Sequence, residues 1–153
     1  MSSRRPFRLR TLAGVVLVAG AGLVPVDASA FCRFRGGSTT GSLAFGALTP
    51  GSGATATANL VLRVNCSPPA DFGLIGVSSM TSANGTGPGN YRMGNGAGSF
   101  ITYGMSVTFA LDPLTGTKGD GLATLAGTAA PASYDAAPVG NYADTLTVVI
   151  GPP

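Results

Sequence analysis

The sequence has no histidine, no tryptophan and no glutamate, and it holds one lysine and two cysteines in 153 residues. Each absence closes off some chemistry. Without histidine, neither a Ser-His-Asp nor a Cys-His arrangement can be assembled, and a zinc site with imidazole ligands is excluded. All the acid is aspartate. Asp112, Asp120 and Asp135 lie among proline, glycine and serine, where aspartate serves as a turn former by bonding nearby backbone. Asp112 to Gly121 lacks the alternating acidic ligands of a calcium loop. Gly94-x-Gly96-x-Gly98 precedes no helical pattern, so it reads as a flexible loop and not as a phosphate cradle. The expectation is a protein that is not an enzyme and uses no metal or cofactor.

Charge is scarce, at 10% of residues, and unevenly placed. Arg4, Arg5, Arg8 and Arg10 form a basic front, followed by an uncharged and mainly apolar run from Thr11 to Val26. Gly14, Gly20, Gly22 and Pro25 interrupt that run, and it falls short of the roughly 20 residues a membrane-spanning helix requires. Ala28-Ser29-Ala30 supplies small residues of the kind needed at a signal cleavage site. Residues 1–30 therefore read as a signal peptide, cut between Ala30 and Phe31. Phe31 is not the small residue that precedes a lipid-anchored cysteine. Ser3-Arg4-Arg5-Pro6-Phe7 resembles a twin-arginine signal, but no cofactor motif calls for folding before export, and the general secretory route fits better.

Residues 31–153 then form a single domain with no apolar run long enough to span a membrane. Its basic residues, Arg33, Arg35, Arg63, Arg92 and Lys118, are matched by Asp71, Asp112, Asp120, Asp135 and Asp144. A neutral domain has no electrostatic footprint for nucleic acid, and it lacks the net charge that keeps monomers apart. Two cysteines in an exported domain are read as one bridge, Cys32–Cys66, in preference to two buried thiols. The formal glycosylation sequons at Asn65 and Asn84 read as chance.

Glycine, threonine and other β-branched residues disfavour helices, and short alternating segments recur between turn clusters. Strands are expected at Ser42 to Leu48, at Leu60 to Cys66 with the cysteine pointing inward, and at Phe72 to Val77. The glycine-rich stretch Ser82 to Gly98 leaves room for a short strand at Tyr91 to Met93. Ile101, Tyr103, Met105, Val107 and Phe109 line one face of the clearest strand, with core packing as their expected role. Leu122 to Ala126 is weaker, and Tyr142 to Ile150 closes the chain. Six or seven strands approach the count of an immunoglobulin-like sandwich.

Taken together, Cys32, Leu43-Ala44-Phe45-Gly46 with Leu48 and Pro50, the strand ending on Cys66, Tyr91-Arg92-Met93, the Tyr103 strand with Asp112, and Gly140-Asn141-Tyr142-Ala143-Asp144-Thr145-Leu146-Thr147-Val148 resemble the spore coat protein U family, the subunits of archaic chaperone–usher pili. The Gly140, Tyr142, Asp144, Thr145 pattern is the most specific part. The resemblance implies an all-β, immunoglobulin-like sandwich that is incomplete by one strand. It also implies partners: a periplasmic pilus chaperone that lends a strand, an outer-membrane usher, and other pilin subunits whose N-terminal extensions replace the loan by β-augmentation. Leu43 and Phe45 on one side, and Leu146, Val148 and Ile150 on the other, are expected to flank the donor-strand groove. The expected place is the periplasm in transit and then the cell surface, in a pilus or coat.

Family subunits that donate a strand carry a segment before the first cysteine. With cleavage after Ala30 only Phe31 precedes Cys32, which suits a tip, capping or minor subunit; cleavage after Ala21 would leave Gly22 to Phe31 as a leader. A secreted ligand- or surface-binding adhesin domain is the alternative reading.

Overall fold

Alternation of apolar and polar side chains puts one face of a strand toward a core and the other toward water, and here it does so along most of the chain. The computed structural model describes residues 31–35, 39–115 and 119–151. The expected signal peptide, with its expected cleavage residue Ala30, falls outside the described residues. Among the described residues there are eight strands: β1 Phe31–Phe34, β2 Thr40–Leu48, β3 Ala56–Ser67, β4 Gly76–Ser82, β5 Tyr91–Gly94, β6 Phe100–Leu111, β7 Asp120–Ala129 and β8 Gly140–Gly151. Two short 3-10 turns, Pro69–Leu74 and Pro131–Ser133, are the helical pieces among the described residues. The expected all-β class is therefore the observed one.

The strands pair antiparallel in one curled sheet of order β1-β3-β7-β6-β5-β8-β2, with β4 joining it on β8. The curl turns on β6, which changes partners part-way. Phe100 to Tyr103 pair with β5, while Gly104 to Leu111 pair with β7. Two halves of the sheet thus face each other across one core, in which Leu43, Val64, Met93, Ile101, Leu125, Tyr142, Leu146 and Val148 are fully buried.

Two glycines explain how the halves approach. Above Gly127 on β7 the Phe45 and Tyr103 rings meet at 4.9 Å between centroids. A Cβ at Gly127 would stand 2.6 Å from Leu43 Cδ2 and 2.7 Å from Phe45 Cζ, closer than packed carbon atoms approach. On β2, Gly46 has φ +74° where the register against β8 shifts between Ala44 and Gly46. That bulge inserts one extra residue, which is why burial on β2 falls on Leu43, Phe45 and then Leu48.

Two expectations require correction. Phe72 to Val77 is not one strand: the Pro68-Pro69 pair leads into a 3-10 turn that seats the buried Phe72 ring on Gly121, and β4 starts only at Gly76. Proline removes main-chain donors, and a turn delivers the ring to the core without a ladder. Strand β1, in turn, was not foreseen, because four residues are too few for alternation to register.

Candidate functional site

The closing strand β8 is central, with β2 paired along its first part and β4 along its last. Its Gly140–Thr145 motif is a set of anchors. Tyr142 is buried, and its hydroxyl donates to the Pro138 carbonyl at 2.8 Å, tying the strand to the turn before it. Asp144 is 2% exposed and accepts the Tyr103 hydroxyl at 2.7 Å and the Asn84 amide at 3.3 Å. A carboxylate buried so deeply is tolerable only with such donors. Burial first, and then the hydrogen bond to and the charge of Asp144, push the Tyr103 hydroxyl well above its ordinary value of 10.0. Tyr103 therefore remains a donor throughout the neutral range. Thr145 faces outward, and its carbonyl accepts the Ala83 amide at 2.9 Å. Together these bonds fasten β8 to β6 and to the segment between β4 and β5.

The chemistry of the surface lies at the other end of β8. β2 begins at Thr40, opposite Thr147, and one further bond joins the Val148 amide to the Thr39 carbonyl at 2.7 Å. Beyond it, among the described residues, no strand pairs with that side of Val149 to Gly151; β4 holds the other side. Among the described residues, strand β1 pairs with one strand, β3, from Phe31↔Ser67 to Phe34↔Val64. The ends of the curled sheet diverge here. Between them lies a cleft of about 630 Å³, lined by Cys32, Arg33, Phe34 and Arg35, by Thr39 and Asn65, and by Val149 and Ile150.

Its rim is built by the cysteine pair and by one aspartate. Cys32 and Cys66 stand opposite each other in the β1–β3 register and are bonded, with Cα atoms 4.1 Å apart. The bond staples the four-residue strand β1 to β3, beside the buried Phe34. Asp120, expected as a turn former, is instead the first residue of β7. It accepts Asn65 Nδ2 at 2.8 Å and pairs with Arg35 at 3.3 Å, joining three strands. Asp112 does form the expected turn, accepting the Leu114 amide at 2.9 Å, and it also faces Arg63 at 3.8 Å. Asp135 caps the Gly51 amide from the turn after β7.

The groove expected between β2 and β8 is not where it was placed. These strands are direct partners from Thr40↔Thr147 to Leu48↔Gly140. Leu43, Leu146 and Val148 are core residues, and Phe45 lies against Tyr103. Main-chain groups left without a partner are costly, and direct pairing satisfies them. Of the five residues named for the groove, Ile150 alone lines the open cleft. Arg33, Phe34, Arg35, Thr39, Asn65 and Val149 were missed. The cysteines carried the available signal, since a bridge from Cys32 to an inward Cys66 demands chain alongside β3.

No protein-family model, curated protein or solved structure matches this chain.

Proposed function

We propose that this protein is an exported structural subunit of a pilus or surface coat, of the spore coat protein U kind, whose sheet is completed by a strand supplied from outside. The observation that carries the reading is the unclosed seam between β1 and the end of β8. At that seam Ile150, an apolar residue packed on the core, is only partly buried, while Leu43 and Leu146 within the β2–β8 ladder are fully buried. An extended segment laid along Val149–Gly151 would find main-chain partners and apolar cover together, the two components of β-augmentation. The Tyr142–Pro138 bond also supports an immunoglobulin-like lineage, because a tyrosine that bonds back to the preceding backbone marks the corresponding late strand of such sandwiches.

The site differs from the simplest form of the idea. An incoming strand has a ready place beyond Thr147, whereas entry between β2 and β8 would first have to separate their ladder. A periplasmic chaperone and a neighbouring subunit remain the proposed donors, and an outer-membrane usher the proposed assembly site. With cleavage after Ala30 the exported chain accepts a strand without donating one, as a tip or cap does.

The test is a fusion of an alternating apolar donor strand behind Pro153 through a flexible linker. Completion of the seam raises the melting temperature, since each half-buried side chain newly covered contributes on the order of 1 kcal/mol. A fused strand that leaves the melting temperature unchanged overturns the reading. Tight glycan or surface binding by such an unaffected domain favours the adhesin alternative. Edman sequencing of the exported chain decides the tip assignment, which requires Phe31 as first residue.

A further inference from the structure

A sheet edge is a template for another strand, and folded proteins guard their edges with charge, proline, bulges or shortness. Most of the edges here are guarded. β1 is four residues long and carries Arg33, with Arg35 just behind it. β2 is bent by its Gly46 bulge, and β4 has a register shift between Val77 and Ser79. The second part of β6 has none of these. Gly104 to Leu111 pair with β7 through eight consecutive positions without a shift, and the segment reads Gly-Met-Ser-Val-Thr-Phe-Ala-Leu, free of charge and of proline. Its other edge is filled by β5 only up to Tyr103, opposite Tyr91. Ser106, Thr108 and Ala110 are exposed, while Met105, Val107 and Phe109 are half-buried.

We propose that this bare edge is an interface between two copies of the protein, joined β6 to β6 as antiparallel strands about a two-fold axis at Val107. The occupant follows from the segment itself. Around Val107 the residues match in kind at equal distances: Ser106 with Thr108, Met105 with Phe109, Gly104 with Ala110. In a two-fold antiparallel pair, position 107 + k of one copy meets 107 − k of the other, so hydroxyl meets hydroxyl, thioether meets ring, and small meets small. Such cross-strand pairs are the units that stabilise a sheet, and thioether–ring contact is favourable. Both partners are uncharged there, so nothing repels, and a charged partner would find nothing to read. Tyr91 limits the pairing by occupying the edge beside Tyr103, which stops the second copy at Gly104 and makes seven positions the full extent. The contact lies on β6, away from the β1–β8 cleft, and leaves that cleft free.

Two sets of variants test this on the exported chain. Under oxidation Val107→Cys forms a disulfide-linked dimer, because residues on a two-fold axis between paired strands lie within disulfide reach; Val61→Cys, exposed on the outward face of β3, does not. Val107→Cys remaining monomeric, or cross-linking no more than Val61→Cys, overturns the proposal. The exposed pair Ser106→Lys with Thr108→Lys places like charges opposite each other twice and weakens self-association in sedimentation equilibrium by about ten-fold. Ser106→Lys with Thr108→Asp restores it, because lysine then meets aspartate. Equal self-association by the two double variants contradicts a two-fold β6 contact.

Discussion

The two halves of the core are built from similar residues and finished to different degrees. Where β2 and β8 form their ladder, Leu43, Leu146, Tyr142 and Met93 are fully buried and the Asp144 carboxylate has two donors. Past Thr147 the ladder stops and Ile150 stays partly exposed, as do Val107 and Phe109 on the unpaired edge of β6, with Leu62, Val77 and Met80. The difference is not one of hydrophobicity, since both sets are equally apolar. It is one of cover: a strand edge present on one side is lacking on the other. The same apolar alternation gives a closed core or an open cleft according to whether a neighbouring strand completes the sheet.

Truncation compares the halves directly. Leu43→Ala removes a fully buried side chain beside Phe45 and should cost about 3–5 kcal/mol, whereas Leu62→Ala, at a partly buried position, should cost about half as much. Urea denaturation of both variants measures the contrast, and equal losses would erase it. On the open side the staple replaces packing. Loss of Cys32–Cys66 through a paired serine substitution should lower stability by roughly 3–4 kcal/mol, most of it visible as early release of β1 in hydrogen exchange.

Overfilling sharpens the comparison from the other direction. Gly127→Val drives methyls into Leu43 and Phe45 and should cost about 1–3 kcal/mol. A similar change at an open position, Ser79→Val on β4, should stay within roughly 0.5 kcal/mol by thermal melting. A further effect concerns protons. Tyr103→Phe strips Asp144 of its closest donor, at a cost of about 1–2 kcal/mol near neutral pH. Because the folded Tyr103 holds its proton more tightly than the unfolded residue, whose value is 10.0, its contribution is complete below that pH. It is lost as pH rises above it. The wild-type chain should therefore lose stability through alkaline titration more steeply than Tyr103→Phe, and parallel alkaline profiles would contradict the buried pair.

The long strands were legible because they have room for period-two alternation to show. Ile101 to Phe109, Leu60 to Cys66 and Tyr142 to Ile150 each carry four or five inward positions, and so did the inward direction of Cys66 and the core role of Tyr103. The bridge was legible too, from two cysteines behind a segment read as a signal peptide. Other features depend on chain that is distant in sequence. No local pattern tells β6 to leave β5 at Gly104 and join β7, because that choice belongs to the twist of the sheet. Asp120 was read from its glycine neighbours as a turn residue, but Arg35 and Asn65, far away in the chain, make it a junction. The groove was expected along β2 and β8 because the family resemblance implies that a strand is missing between them. Only the tertiary structure decides that those strands satisfy each other's main-chain groups directly, leaving the uncovered edge at Val149 to Gly151. Sequence alone determined which residues face inward; the order of the strands determined which of them are covered, since burial depends on the neighbour and not on the residue.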